Sequence, residues 1–114
     1  MARKDALDLG ELLAAAGDRE GVIWALQRND DLNANLVRFD ASGGVGEHVN
    51  DEVDVLFVGI SGSGIVEIEG ERHALGPGML VFAGKGTRRS TLAAAGGLAY
   101  LTVHRRRGPL KIGG

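Results

Sequence analysis

The chain reads as an all-β protein, a sandwich or barrel of short strands with one helix near its start. Three observations carry this. Short apolar runs recur at regular intervals from residue 22 to residue 105. The chain has 19 glycines in 114 residues, and they fall mostly between those runs, as turn punctuation. Helical periodicity occurs in one place only, ahead of the first apolar run.

The helix comes first. Leu9, Leu12, Leu13 and Ala16 follow the i, i+3, i+4, i+7 spacing that puts apolar groups on one face. Asp8 can cap its start and Gly17 can end it. The period then changes. Val22–Gln27 and Leu32–Phe39 are strand-like, joined by the polar turn Arg28-Asn29-Asp30-Asp31. Val53–Ile60 is almost wholly apolar, as expected of a barrel wall. Ser61-Gly62-Ser63-Gly64 reads as a hairpin turn. With no helix behind it, it lacks the anion site of a phosphate-cradling loop. Further strands are expected at Ile65–Ile68, Arg72–Leu75, Met79–Ala83, Ser90–Ala94 and Leu98–Arg105. The expected organisation is an N-terminal segment (residues 1–20), a barrel (21–107) and a frayed tail (108–114).

Composition bounds the function. A chain of 114 residues is one domain, long enough to bury roughly two-thirds of its unfolded surface. The net charge of -2 gives no electrostatic footprint for nucleic acid, so no nucleic-acid partner is expected. With no cysteine there is no disulfide, thiolate metal site or Cys nucleophile. No apolar run reaches the length of a membrane span, and the N-terminus lacks a signal-peptide core. No membrane partner is therefore expected, and the cytoplasm is the expected location.

The segment from Ser42 to Ala93 carries a more specific pattern. Gly78, Gly84, Gly86 and Arg89 keep the spacing of a Gly, five residues, a Pro, one residue, a Gly, two residues and a His. Gly84 stands in the Pro position, Arg89 in the His position, and Ala93 where an Asn would follow. Upstream, His48 and Asn50 hold the places of a His-x-His pair, with a turn glycine at Gly62. The Gly that should open this first motif falls on Ser42, one place from Gly43. Over about half the chain, this resembles the two-motif core of the cupin superfamily. The resemblance implies a double-stranded β-barrel, or jelly roll. In that family three histidines and a glutamate usually hold a metal inside the barrel. The glutamate position falls on Val55 when counted back from Gly62 and on Asp54 when counted forward from His48. One residue inserted near Gly59-Ile60 would favour Asp54, the reading preferred here.

The residues in these positions change the chemistry. Metal ions in such a barrel need imidazoles or carboxylates to replace their water shell. His48 is a usual ligand, Asp54 could ligate, and Asn50 is a weak oxygen donor. Arg89 has no lone pair and repels a cation. The expectation is therefore no metal and no cofactor, with His48, Asn50, Asp54 and Arg89 forming a ligand-binding wall. Arg89 is expected to point inward. There it would pair with Asp54, or with Glu52 if the register slips, or hold an anionic group of a ligand.

Other residues have plainer readings. His73 is expected to be half-buried and bonded to the backbone, with a second pocket imidazole as the alternative. His104, beside Arg105, Arg106 and Arg107, is expected at a solvated strand end. Trp24 is expected to pack in the core or in an interface. Thr87, Ser90 and Thr91 are placed near the pocket rim.

The expected function is binding of a small, anionic organic ligand in a metal-free pocket, with His48 and Asp54 as candidates for acid-base chemistry. The alternatives are a metal-dependent dioxygenase or isomerase with a rearranged ligand set including His73, and a packed barrel with a structural or interaction role. A homodimer is expected from the resemblance.

Overall fold

The computed structural model describes residues 5–27 and 29–106. Arg28 of the first turn, Arg107 and the 108–114 tail lie outside them. The element order is α1 (Leu9–Ala16), β1 (Gly21–Ala25), β2 (Leu32–Phe39), β3 (Gly44–Val49), β4 (Val55–Ile68), β5 (Glu71–Leu75), β6 (Leu80–Ala83) and β7 (Arg88–Arg105). The helix starts where expected. Asp8 is its N-cap, and its carboxylate accepts from the Glu11 amide at 3.1 Å, satisfying one of the free donors of the first turn. Ala16 is buried and Gly17 ends the helix at φ 60°.

Among the described residues all strand pairing is antiparallel, and two long strands carry both walls of the barrel. The first half of β4 pairs with β6 and the second half pairs with β5. The first half of β7 pairs with β3 and the second half pairs with β2. The two long strands also pair with each other along most of their length. One wall is therefore β1-β2-β7-β4-β6 and the other is β3-β7-β4-β5.

This corrects the reading of Ser61–Gly64 as a hairpin turn. The segment lies within β4, at the corner where both long strands pass from one wall to the other. Register shifts between Gly59 and Ser61 and between Gly62 and Gly64 make the bend without breaking the pairing to β7. Gly62 has φ 70°, and a Cβ there would lie 2.2 Å from the Gly97 carbonyl oxygen. Only glycine permits that approach. Likewise Ser90–Ala94 and Leu98–Arg105 are the two halves of one strand. β3 was not expected, because its six residues are all exposed and carry no burial alternation to read.

The core lies between the walls. Val37, Val55, Phe57, Val66, Leu75, Val81, Ala83, Ala93, Leu98 and Tyr100 are buried together, with Phe39 and Ile68 against them. In the first half of β4 the side chains alternate, so Val55 and Phe57 face the core while Leu56 and Val58 do not. Tyr100 is central, with ring centroids 5.8 Å from Phe57 and 6.5 Å from Phe39, both tilted. Burial of such rings at roughly 25 cal/mol per Å² of apolar surface is the main favourable term.

Candidate functional site

A cavity of about 240 Å³ opens between the walls at the β1–β2–β3 end of the barrel. Val37, Phe39, Val55 and Phe57 make its apolar lining. His48, Asn50, Arg89, Thr91, Tyr100, Thr102 and His104 supply its polar groups.

Arg89 is the dominant charge. It is 3% exposed, on the inward side of β7. Its Nη2 donates to the Gly84 carbonyl at 2.9 Å, and its Nε to the Thr87 carbonyl at 3.4 Å. Among the described residues it makes no ion pair with any carboxylate, and Nη1 has no hydrogen-bond partner. Desolvation lowers its pKa from the ordinary value, and the field of Asp54 partly offsets this. It stays protonated, as a guanidinium does in proteins. Its neighbour Arg88 points the other way and meets Glu47 outside the sheet at 3.4 Å.

His48 stands directly opposite Arg89 in the β3–β7 ladder. Its Nδ1 lies 2.8 Å from the Gly46 carbonyl oxygen. A carbonyl only accepts, so Nδ1 carries a proton, and in a neutral imidazole the lone pair is then on Nε2. Thr91 is fixed from two sides. Its hydroxyl accepts from the Val45 amide at 3.1 Å and lies 3.4 Å from the Tyr100 hydroxyl. Burial raises the Tyr100 pKa, and the bond to Thr91 works against this.

Asn50 lines the cavity, but its side-chain oxygen is already engaged, accepting from the Glu52 and Val53 amides at 2.9 and 3.3 Å. Its carbonyl accepts from the Gly86 amide at 2.7 Å. It ties the loop after β3 to the loop before β7.

Asp54 does not line the cavity, though its field reaches Arg89. It is exposed and accepts from the Lys85 amide at 2.8 Å, outside the cavity. Val55 is the residue that lines the wall. The inserted residue near Gly59-Ile60 does exist, as the first register shift. The apolar neighbours decide the matter all the same. Val53 and Val55 on either side are both buried, and Asp54 between them, just ahead of β4, is exposed, where its charge stays hydrated. Among the described residues Asp54 forms no ion pair with Arg89, and Glu52 is exposed, its carbonyl accepting from Arg105 Nη2 at 3.1 Å.

His73 also lies off the site. Its side chain is 40% exposed and meets the Glu71 carboxylate at 3.5 Å, not a backbone carbonyl. Trp24 does not line the cavity. His104 does, contrary to its reading as a solvated strand end. It follows Tyr100 and Thr102 at two-residue steps on β7, so it shares their inward face. That parity from the central tyrosine was the signal available in the sequence. Like His48, it has its Nδ1 held by a carbonyl, that of Arg105 at 2.9 Å.

The metal of the barrel family does not fit these residues. The four positions hold His48, Asn50, Val55 and Arg89, one usual ligand beside an engaged amide, an alkyl group and a cation. Among the described residues no group of three or more His, Cys, Asp or Glu could hold a metal ion.

Comparison with solved structures agrees with this architecture. KdgF from Halomonas sp. is 25% identical, with a TM-score of 0.68 over 75% of this chain and 77% of that one. The TT1209 protein from Thermus thermophilus is 19% identical, with a TM-score of 0.75 over 92% of this chain and all of that one. A cupin protein from Bacteroides fragilis, BF4112, is 21% identical, with a TM-score of 0.64 over 73% of this chain and 72% of that one. The chain therefore has the fold of the cupin proteins, a double-stranded β-barrel. No family model matches the sequence, and no curated protein does. Among the described residues no helix is long and apolar enough to cross a membrane.

Proposed function

We propose that this protein binds a small organic anion in the barrel cavity, without a metal, and that Arg89 holds the anionic group. The observation that carries this reading is a desolvated guanidinium on the cavity wall with no carboxylate paired to it among the described residues. An unpaired buried charge is costly, and a fold keeps one where it is compensated by a ligand. Carboxylate and phosphate oxygens match the planar donors of a guanidinium. The apolar lining favours an organic body over a bare inorganic ion. The volume of about 240 Å³ suits the body of a small metabolite.

The test is thermal unfolding with a panel of small carboxylates and inorganic phosphate, on wild-type protein and Arg89→Gln. At a hundred times its dissociation constant a bound anion adds about 2.7 kcal/mol to wild-type stability. That gain is absent in Arg89→Gln. No stabilisation by any anion, or equal stabilisation of the variant, overturns the reading.

We also propose that the chain forms a homodimer. Met79, just before β6, and Leu80 and Phe82 on it are about half exposed, and among the described residues β6 pairs only with β4. A second copy of the chain would cover them. Light scattering on the purified protein then returns the mass of two chains, and a monomer mass at micromolar concentration refutes this.

A further inference from the structure

The His48–Arg89 pair offers more than a cation. Directly opposed residues of an antiparallel ladder have Cβ atoms about 5 Å apart and side chains on one face. Both of these line the cavity. Arg89 brings donors and positive charge. Its Nη2 and Nε are held by the loop carbonyls of Gly84 and Thr87, which fix the plane of the guanidinium and leave Nη1 without a partner among the described residues. His48 brings the opposite polarity. With Nδ1–H committed to the Gly46 carbonyl, Nε2 is an acceptor, and no described residue donates to it. With the imidazole neutral, the wall therefore presents a cationic donor and an acceptor side by side.

A simple carboxylate satisfies only the first. A ligand that satisfies both carries, next to its carboxylate, a group that donates a hydrogen bond. A 2-keto group cannot, because a ketone oxygen only accepts. An ammonium can donate, but it would be placed beside the guanidinium charge. A hydroxyl donates and is neutral. We propose that the cavity selects small 2-hydroxycarboxylates, with the carboxylate on the Arg89 guanidinium and the 2-hydroxyl donating to Nε2 of His48. The apolar tail then lies against Val55, Phe57, Phe39 and Val37. This inference rests on the anion-binding reading above and names the class of anion.

The experiment is calorimetric titration at about pH 8, where an ordinary imidazole is neutral. The probes are 3-methylbutanoate, 2-oxo-3-methylbutanoate and each enantiomer of 2-hydroxy-3-methylbutanoate. One hydroxy enantiomer binds wild-type protein about fivefold to tenfold tighter than the other two acids, the effect of one net hydrogen bond. In His48→Phe, which keeps a ring at an exposed position but offers no acceptor, the preference for the hydroxy acid over the other two disappears. In Arg89→Gln all of the acids lose affinity. Circular dichroism and melting temperature verify that both variants are folded. Equal affinity for all of the acids, lost in Arg89→Gln, overturns the hydroxy-acid inference and leaves anion binding standing. A preference that survives in His48→Phe also overturns it. Failure of every acid here and in the wider panel removes the anion-binding reading along with it.

Discussion

His48 and Arg89 face each other across the β3–β7 ladder, and both look into the same cavity. Their sequence neighbours Glu47 and Arg88 meet on the outer face at 3.4 Å. The same alternation therefore sorts four polar residues into a solvated ion pair and a cavity-lining pair. The outer pair is exposed and worth little to stability. The inner pair is where the chemistry of the barrel is concentrated.

Arg89 separates binding from stability. Arg89→Met removes a desolvated charge and keeps much of the side-chain volume, so ligand-free stability should change by less than about 1 kcal/mol. Arg89→Ala also empties the space and should cost about 2–3 kcal/mol. Urea unfolding of the two variants checks this. A loss from Arg89→Met as large as that from Arg89→Ala would show that the charge itself holds the fold.

Asp54 should act on the ligand only through its field. It lowers the positive potential at Arg89 without pairing with it. Asp54→Asn keeps an acceptor for the Lys85 amide and removes the charge. Anion affinity should rise about twofold to threefold at low salt, and the gain should shrink in high salt. Titration calorimetry at two ionic strengths reads it, and weaker anion binding in this variant would contradict the account.

Tyr100 gives a pH signature. Burial raises its pKa, so the folded state holds the phenol proton to higher pH than the unfolded chain does. Its contribution is complete below about pH 10 and is lost as pH rises through the folded value. Tyr100 is the single tyrosine of the chain, so ultraviolet absorbance of the tyrosinate follows it alone. Wild-type stability should fall faster than that of Tyr100→Phe above about pH 10. Parallel curves for the two proteins would count against a buried, proton-holding phenol.

The corner of the barrel depends on Gly62. Gly62→Ala places a Cβ against the Gly97 carbonyl at a positive φ. The cost should be about 3 kcal/mol or more, because neither backbone can move without breaking the β4–β7 ladder. A melting temperature within a few degrees of wild type would mean that the corner tolerates a side chain.

Metal should not stabilise the fold. Added zinc, iron, nickel or manganese should leave the melting temperature unchanged, because His48 lacks companion ligands in the barrel positions. A rise with one of these ions that vanishes in His48→Ala would reverse this conclusion.

Local sequence determined the elements whose signal is local. The helix over Leu9–Ala16, with its cap and stop, is written in apolar spacing and in Asp8 and Gly17. The strand at Leu32–Phe39 appears with the bounds expected of it. Barrel membership followed from the glycine spacing around Arg89, and so did the inward direction of Arg89 itself. Tertiary structure decided the rest. Ser61-Gly62-Ser63-Gly64 has turn chemistry, yet two long strands run through it, because β7 bends alongside and keeps the backbone groups paired. Asp54 lost the wall to Val55 because the valines on both sides of it take the buried places, and a carboxylate keeps its hydration by facing out. His104 gained the cavity because it is in phase with Tyr100, whose burial depends on Phe39 and Phe57 from other strands. Periodicity gives each residue one of two faces. Which face is the inside is settled only when distant strands close over it.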